Sequence, residues 1–199
     1  MEDGSTVERE SQMTEAEDAA SGQEPEQTLA IARELALGGL VIALGIVVPI
    51  LFHAVGSGAV FLPMHVPILA GAMLMSAGTA AMVGFLTPLA SAAMTGMPPI
   101  SPPIAPAMTI ELAAIATAAS VLHRRLGLNP WLAAVGAIVC GRAVYAAELF
   151  VLAPLFGVHL PAAAAGAWAL VKGWPGLVIQ LAVVPPVVKG IEMKGRGRG

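Results

Sequence analysis

The stretch LPMHVPILAGAMLMSAGTAAMVGFLTPLASAAMTGMPPISPPIAPAMTIE, residues 62–111, decides the fold of this chain. It contains no Asp, Glu, Lys or Arg before Glu111. Since about 20 apolar residues already cross the hydrocarbon core of a bilayer, this stretch is too long for one membrane helix. We therefore predict a hairpin of two short apolar helices, then a proline-rich loop that leads into a third helix carrying Glu111.

The composition of the whole chain indicates a membrane protein. Of its 199 residues 57% are hydrophobic and 12% are charged, with a mean hydropathy of +0.80. Soluble domains carry about 25% charged residues. The predicted fold class is all-α, a polytopic membrane protein. A single cysteine, Cys140, excludes a disulfide framework within the chain.

Charge divides the chain into three predicted regions. Residues 1–28 hold most of the acidic side chains and few large apolar ones, so we predict a disordered acidic tail. Residues 29–190 form the predicted membrane domain, and residues 191–199 form a basic tail.

Six membrane helices are predicted within this domain, over residues 35–52, 63–77, 79–95, 106–122, 131–156 and 164–188. Arg124 and Arg125 and the basic tail then lie on one side, which the positive-inside rule identifies as cytoplasmic, together with both termini. A single helix over residues 63–94 would give five spans, but it would be roughly 48 Å long and exceed the ~30 Å hydrocarbon core.

Ionisable residues inside predicted spans are costly and usually face a cavity or a partner. Glu111, Glu148 and Lys172 are predicted to converge on the outer half of the membrane and to bind a ligand, with Lys172 facing a ligand carboxylate. Tyr145 shares a helix face with Glu148, because the two are three residues apart. In the alternative, these charges pair for helix packing: Glu148 with Lys172, and Arg142 with Glu111 or a carbonyl. For His65, both a pocket donor and a satisfied interfacial histidine remain open.

Helix one carries a stripe of small residues with one-face spacing: Ala32, Ala36, Gly39 and Ala43. Such a stripe lets a second helix approach closely within lipid. We predict that it docks a partner subunit; internal packing against the chain's own helices is the alternative.

Several segments resemble a known family. The segments LPMHVPILAG (62–71), GFLTPLASAAMTGMPP (84–99) and AMTIELAA (107–114), with Gly141 and Arg142, are similar to the S components of energy-coupling-factor vitamin transporters. The resemblance implies a six-helix subunit that captures a small ligand and works with a transmembrane coupling subunit and two ATP-binding-cassette ATPases. It also implies an Ala-x-x-x-Ala docking motif in helix one. The loops at 53–62 and 96–106 then cover the site, and the lid residues are Met97, Pro98 and Pro99.

The predicted function is thus capture of a water-soluble vitamin or vitamin precursor at a bacterial cytoplasmic membrane. We expect no enzymatic activity, cofactor, metal site or nucleic-acid partner, because the chain contains no phosphate-binding glycine loop and no zinc-hydrolase motif. The alternative function is a structural or assembly membrane protein whose buried charges are helix-packing ion pairs.

Overall fold

The computed structural model describes residues 4–54, 62–98, 104–155 and 162–197, with side chains described over 26–52, 62–98, 105–148, 151, 173–195 and 197. The chain divides into two units, Met1–Ala36 and Leu37–Gly199. The hydrophobic core described below belongs to the second unit.

The described residues form helices joined by turns and contain no β-strand, so the all-α prediction is confirmed. Their α-helices are α1 (Gly4–Ala54), α2 (His65–Ala72), α3 (Ala77–Thr95), α4 (Ile104–Ser120), α5 (Pro130–Leu155) and α6 (Ala162–Arg196), and a π-helical turn, Val121–Arg125, follows α4. Five of these helices, α1, α3, α4, α5 and α6, contain a stretch long and apolar enough to cross a membrane.

The second helix is shorter than the sequence predicts. It has eight residues, or about 12 Å at 1.5 Å per residue, so it does not span a bilayer by itself. Turns at residues 63–64 and 73–74 flank it. Helix α3 then begins at Ala77, two residues before its predicted start, because the Ser76 side chain caps it by accepting a hydrogen bond from Thr79 N at 3.4 Å.

Proline and glycine mark other helix ends close to their predicted places. Pro130 is the first residue of α5, and the Asn129 side chain accepts a hydrogen bond from Leu132 N at 3.0 Å. Gly96, with φ +73°, ends α3. Pro106 lies in the first turn of α4, where its missing N–H breaks no helical hydrogen bond.

Both terminal segments contain more helix than the sequence predicts. The backbone of α1 is helical from Gly4, within the segment expected to be disordered. This segment has few apolar residues, and a helix without an apolar face gains no stability from packing. We therefore keep the prediction that residues 1–28 lack stable structure. At the other end, α6 continues to Arg196 instead of stopping near residue 188.

Helix α4 lies at the centre of the second unit and packs against α2, α3 and α5, while α6 packs against α2 and α5. The short α2 is almost completely enclosed, since Ile68 and Leu69 have no exposed surface. Five of its eight residues are buried against other helices, which explains its apolar sequence.

Two contacts define one end of this unit. Ser120 Oγ, at the end of α4, donates a hydrogen bond to the carbonyl of Met75 at 2.8 Å. His123 Nε2, in the π-helical turn, lies 2.8 Å from Glu192 Oε1 near the end of α6. The α2–α3 turn, the α4–α5 connection and the last turns of α6 therefore lie together. Leu62, three residues before α2, lies beside the first described side chains of α6, since a methyl group on Gly173 would be 3.2 Å from it.

Candidate functional site

A buried ion pair joins α4 to α5. Arg142 Nη1 lies 2.8 Å from Glu111 Oε1, and their side chains are only 12% and 2% exposed. The sequence left open whether Arg142 contacts Glu111 or a carbonyl, and the structure brings it to Glu111. The contact is an ion pair and not a well-aligned hydrogen bond, because Glu111 Oε1 has no hydrogen-bond partner among the described residues.

Glycines allow the helices to approach closely enough for this pair to form. A methyl group at Gly84 of α3 would lie 2.5 Å from the carbonyl oxygen of Leu112, the residue after Glu111. A methyl group at Gly141 of α5 would overlap the side chain of Ile115, one turn further along α4. The Gly-Arg pair at 141–142 thus has a physical role, since the glycine permits close approach and the arginine reaches Glu111.

His65 is the third member of this cluster. It is the first residue of α2, it is 1% exposed, and its Nε2 lies 3.7 Å from Glu111 Oε1. That distance is too long for a hydrogen bond. Neither ring nitrogen has a hydrogen-bond partner among the described residues, so the reading of a satisfied interfacial histidine has no support in the described part of the chain.

Tyr145 and Glu148 continue the polar face of α5 beyond Arg142. Tyr145 lies within electrostatic range of Glu111, Arg142 and Glu148. Both carboxyl oxygens of Glu148 are buried and have no hydrogen-bond partner among the described side chains. Contacts and electrostatic interactions therefore link four of the predicted ligand-binding residues: His65, Glu111, Tyr145 and Glu148.

The remaining predicted site residues are described only in part. The side chain of Lys172 and the whole of Pro99 lie outside the described residues, as does most of the loop at 53–62. Met97 and Pro98 are described at the start of the second loop. There the carbonyl of Met97 accepts a hydrogen bond from Ser91 Oγ at 2.7 Å, which ties this end of the loop to α3. The closure of these loops over a ligand stays a prediction.

One buried polar residue without a hydrogen-bond partner among the described residues was not predicted from the sequence. Gln180 of α6 has no exposed surface, and neither atom of its amide group has a partner among the described residues. The sequence does mark Gln180 as unusual, since it is the only amide side chain between residues 130 and 199. A lone amide within an apolar span is costly unless it faces a polar partner.

The stripe on helix α1 is exposed. Ala32 and Ala36 are exposed in the first unit, and Gly39 and Ala43 are exposed in the second. No atom lies within 4 Å of the place where a methyl group on Gly39 would stand. The adjacent Gly38 instead faces the core, since a methyl group there would lie 3.3 Å from Val83.

Comparison with models of protein families gives a match over most of the chain. Residues 33–188, well over half of the chain, match the family model described as "ECF transporter, substrate-specific component". Comparisons with curated proteins and with solved structures give no match.

Proposed function

Since the chain belongs to the family of substrate-specific components of energy-coupling-factor (ECF) transporters, we propose that it captures a small water-soluble vitamin or vitamin precursor. Members of this family are transporter subunits and not enzymes, and the apolar helices make this chain a multi-pass membrane protein. The energy then comes from two ATP-binding-cassette ATPases, joined through a transmembrane coupling subunit in the bacterial cytoplasmic membrane.

The buried polar cluster is the observation that supports ligand capture. Buried polar atoms in folded proteins nearly always have hydrogen-bond partners. Here His65, Arg142 and Glu148 all carry buried polar atoms without a partner among the described residues. A purely structural protein accounts for the Glu111–Arg142 pair, and its Glu148–Lys172 pair involves a side chain outside the described ones. Among the described residues, however, it provides no partner for the ring nitrogens of His65 or for Nε and Nη2 of Arg142. We assign His65, Glu111, Tyr145 and Glu148 to the ligand site, with Lys172 completing it.

We further propose six membrane crossings with both termini in the cytoplasm. Helix α2 is short, but the segment 62–75 runs from Leu62, beside Gly173, to Met75, beside Ser120. Gly173 precedes Glu192 by 19 residues of α6, or roughly 28 Å at 1.5 Å per residue. Since Glu192 contacts the turn that follows Ser120, the segment 62–75 covers most of the bilayer depth. Arg124, Arg125 and Lys194 at this end support its cytoplasmic assignment.

Ligand capture is tested by purifying the protein in detergent and identifying by mass spectrometry the small molecule that co-purifies. Glu111→Gln, Glu148→Gln and Lys172→Met are then expected to weaken its binding by roughly 30- to 4,000-fold, because each removes a charged partner from a desolvated contact. Glu192→Gln, which changes a carboxylate outside the cluster, is the matched control and should bind normally. Unchanged binding in all three site variants would remove these residues from the site.

The exposed stripe of α1 is the proposed docking surface for the coupling subunit. Lipid provides no hydrophobic drive for helix association, so small side chains that permit close packing favour it. Ala36→Trp and Gly39→Leu should leave ligand binding by the isolated protein intact and block assembly with the coupling subunit, as measured by co-purification of the complex. Ala143→Leu, an enlargement at an exposed position of α5, is expected to assemble normally. Loss of ligand binding itself in the α1 variants would show that the stripe packs internally.

A further inference from the structure

The guanidinium group of Arg142 has one nitrogen in contact with Glu111 and two nitrogens without a partner among the described residues. Nη1 contacts Glu111 Oε1 at 2.8 Å. Nε and Nη2 are both buried, and neither has a hydrogen-bond partner among the described residues. The N–H bonds of Nε and Nη2 point in parallel from one side of the planar group, which is the geometry that receives two oxygens of one anion.

Glu111 and the helix packing hold this Nε/Nη2 edge in place. The ion pair fixes Nη1, and the close approach of Gly141 to Ile115 fixes the backbone of α5 beside α4. Neutralising Glu111 requires only Nη1 and does not explain why Nε and Nη2 are also buried without partners among the described residues. Such donors cost free energy unless a bound group accepts from them.

We propose that the Nε/Nη2 edge of Arg142 binds a carboxylate group of the transported molecule. This inference rests on the proposed capture function, and it assigns to Arg142 the carboxylate contact that the sequence analysis gave to Lys172. The substrate class is then a carboxylic acid.

The surrounding charges favour a carboxylate over a phosphate. Both anions match the paired donors of an arginine. However, Glu111 already contacts Nη1 of the same guanidinium and offsets its single positive charge. A phosphate dianion therefore meets more net repulsion at this site than a carboxylate monoanion does.

Glu148 defines the second end of the ligand. It follows Arg142 by six residues of α5, a rise of roughly 9 Å. Its two carboxyl oxygens accept hydrogen bonds and have no partner among the described residues. A ligand that contacts both residues therefore carries a carboxylate and, elsewhere on the molecule, a hydroxyl, amine or amide donor.

The test uses the full-length protein in detergent and pairs of probes that differ in the carboxylate. The pairs are pantothenate and panthenol, biotin and biotin amide, and nicotinate and nicotinamide, with thiamine monophosphate as the phosphate probe. The readouts are thermal stabilisation by each probe and the identity of the molecule that co-purifies. We expect a carboxylic acid to co-purify, and we expect the acid of a pair to stabilise the protein where its neutral analogue does not.

Arg142→Lys then tests whether Arg142 binds the carboxylate, because lysine keeps the positive charge but lacks the paired donors. Affinity for the acid that binds the parent should fall roughly 10- to 150-fold, the range for losing a hydrogen bond to a charged group. Arg125→Lys, at an exposed arginine, is the matched control and should bind as the parent does. If Arg142→Lys does not fold, the acid and neutral pairs on the parent protein decide the question.

Each contrary result has a distinct meaning. A co-purifying molecule without a carboxylate, preference for thiamine monophosphate, or full affinity in Arg142→Lys would overturn the inference and leave ligand capture standing. If nothing co-purifies and no probe stabilises the protein, both the inference and the proposed function are overturned.

Discussion

At the scale of single residues, the Glu111–Arg142 pair sets the stability of the site. Removing one partner of a buried ion pair leaves the other charge uncompensated and costs about 3–5 kcal/mol. Glu111→Gln keeps the shape of the side chain and removes its charge, so we expect a loss of this size in the free energy of unfolding. Denaturant unfolding of the ligand-free protein in detergent measures it.

Glu192→Gln is the matched control for this prediction. Glu192 also pairs with a basic side chain, His123, but it is 38% exposed. Exposed pairs contribute about 1 kcal/mol or less, so the loss should be correspondingly small. Equal losses in the two variants would show that burial does not determine the strength of the Glu111 pair.

Most members of the site were predictable as single residues, but their partners were not. Charged side chains are rare in apolar spans, so Glu111, Arg142 and Glu148 stand out in the sequence. The choice of Glu111 as the partner of Arg142 depends on the rotation and depth of two helices, which periodicity does not determine. Gln180 does not stand out by charge, although burying an uncharged amide without a partner also costs free energy.

At the scale of helices, close packing at Gly84 positions α4. A methyl group at Gly84 would lie 2.5 Å from the backbone oxygen of Leu112, and backbone cannot move aside as a flexible side chain can. We therefore expect Gly84→Ala to separate α3 from α4 and to cost about 1–3 kcal/mol, typical of overpacking. Weaker ligand binding should accompany this loss, because Glu111 is next to Leu112.

Gly78→Ala is the control within the same helix. No atom lies within 4 Å of the added methyl group, and alanine favours helix over glycine by up to about 1 kcal/mol. Thermal unfolding in detergent should show this variant as stable as the parent or more so. Equal destabilisation of both variants would show that the α3–α4 contact at Gly84 is not tight.

Helix ends were predictable where a proline or glycine starts or stops the helix locally. Pro130 and Gly96 act through local geometry, which explains why the predicted bounds of α3 and α5 lie within two residues of the observed ones. The ends of α2 and α6 depend instead on distant contacts. Helix α2 packs against α3, α4 and α6 and lies beside Val41 of α1, and α6 passes its predicted end to reach His123. Such contacts leave no local signal in the sequence.

At the scale of the whole molecule, the polar site and the docking stripe lie on elements with different surroundings. Glu111 and His65 lie on the enclosed helices α4 and α2, where they are buried. The proposed stripe lies on α1, whose small residues are exposed. A ligand-capturing subunit needs both features, because it must shield its ligand and still present a surface to a partner.

The number of crossings is the last prediction and concerns the whole chain. In a background with Cys140→Ala, single cysteines are placed at three exposed positions: Leu29→Cys, Met97→Cys and Arg125→Cys. Six crossings place Leu29 and Arg125 on the cytoplasmic side and Met97 outside. A membrane-impermeant maleimide added to intact cells should therefore label only Met97→Cys, and inverted vesicles should label the other two. In a five-crossing chain the segment 62–75 does not cross, so Leu29 and Arg125 lie on opposite sides of the membrane. Labelling of Leu29→Cys in intact cells, with Arg125→Cys still reacting only in inverted vesicles, would therefore exclude the separate crossing by residues 62–75.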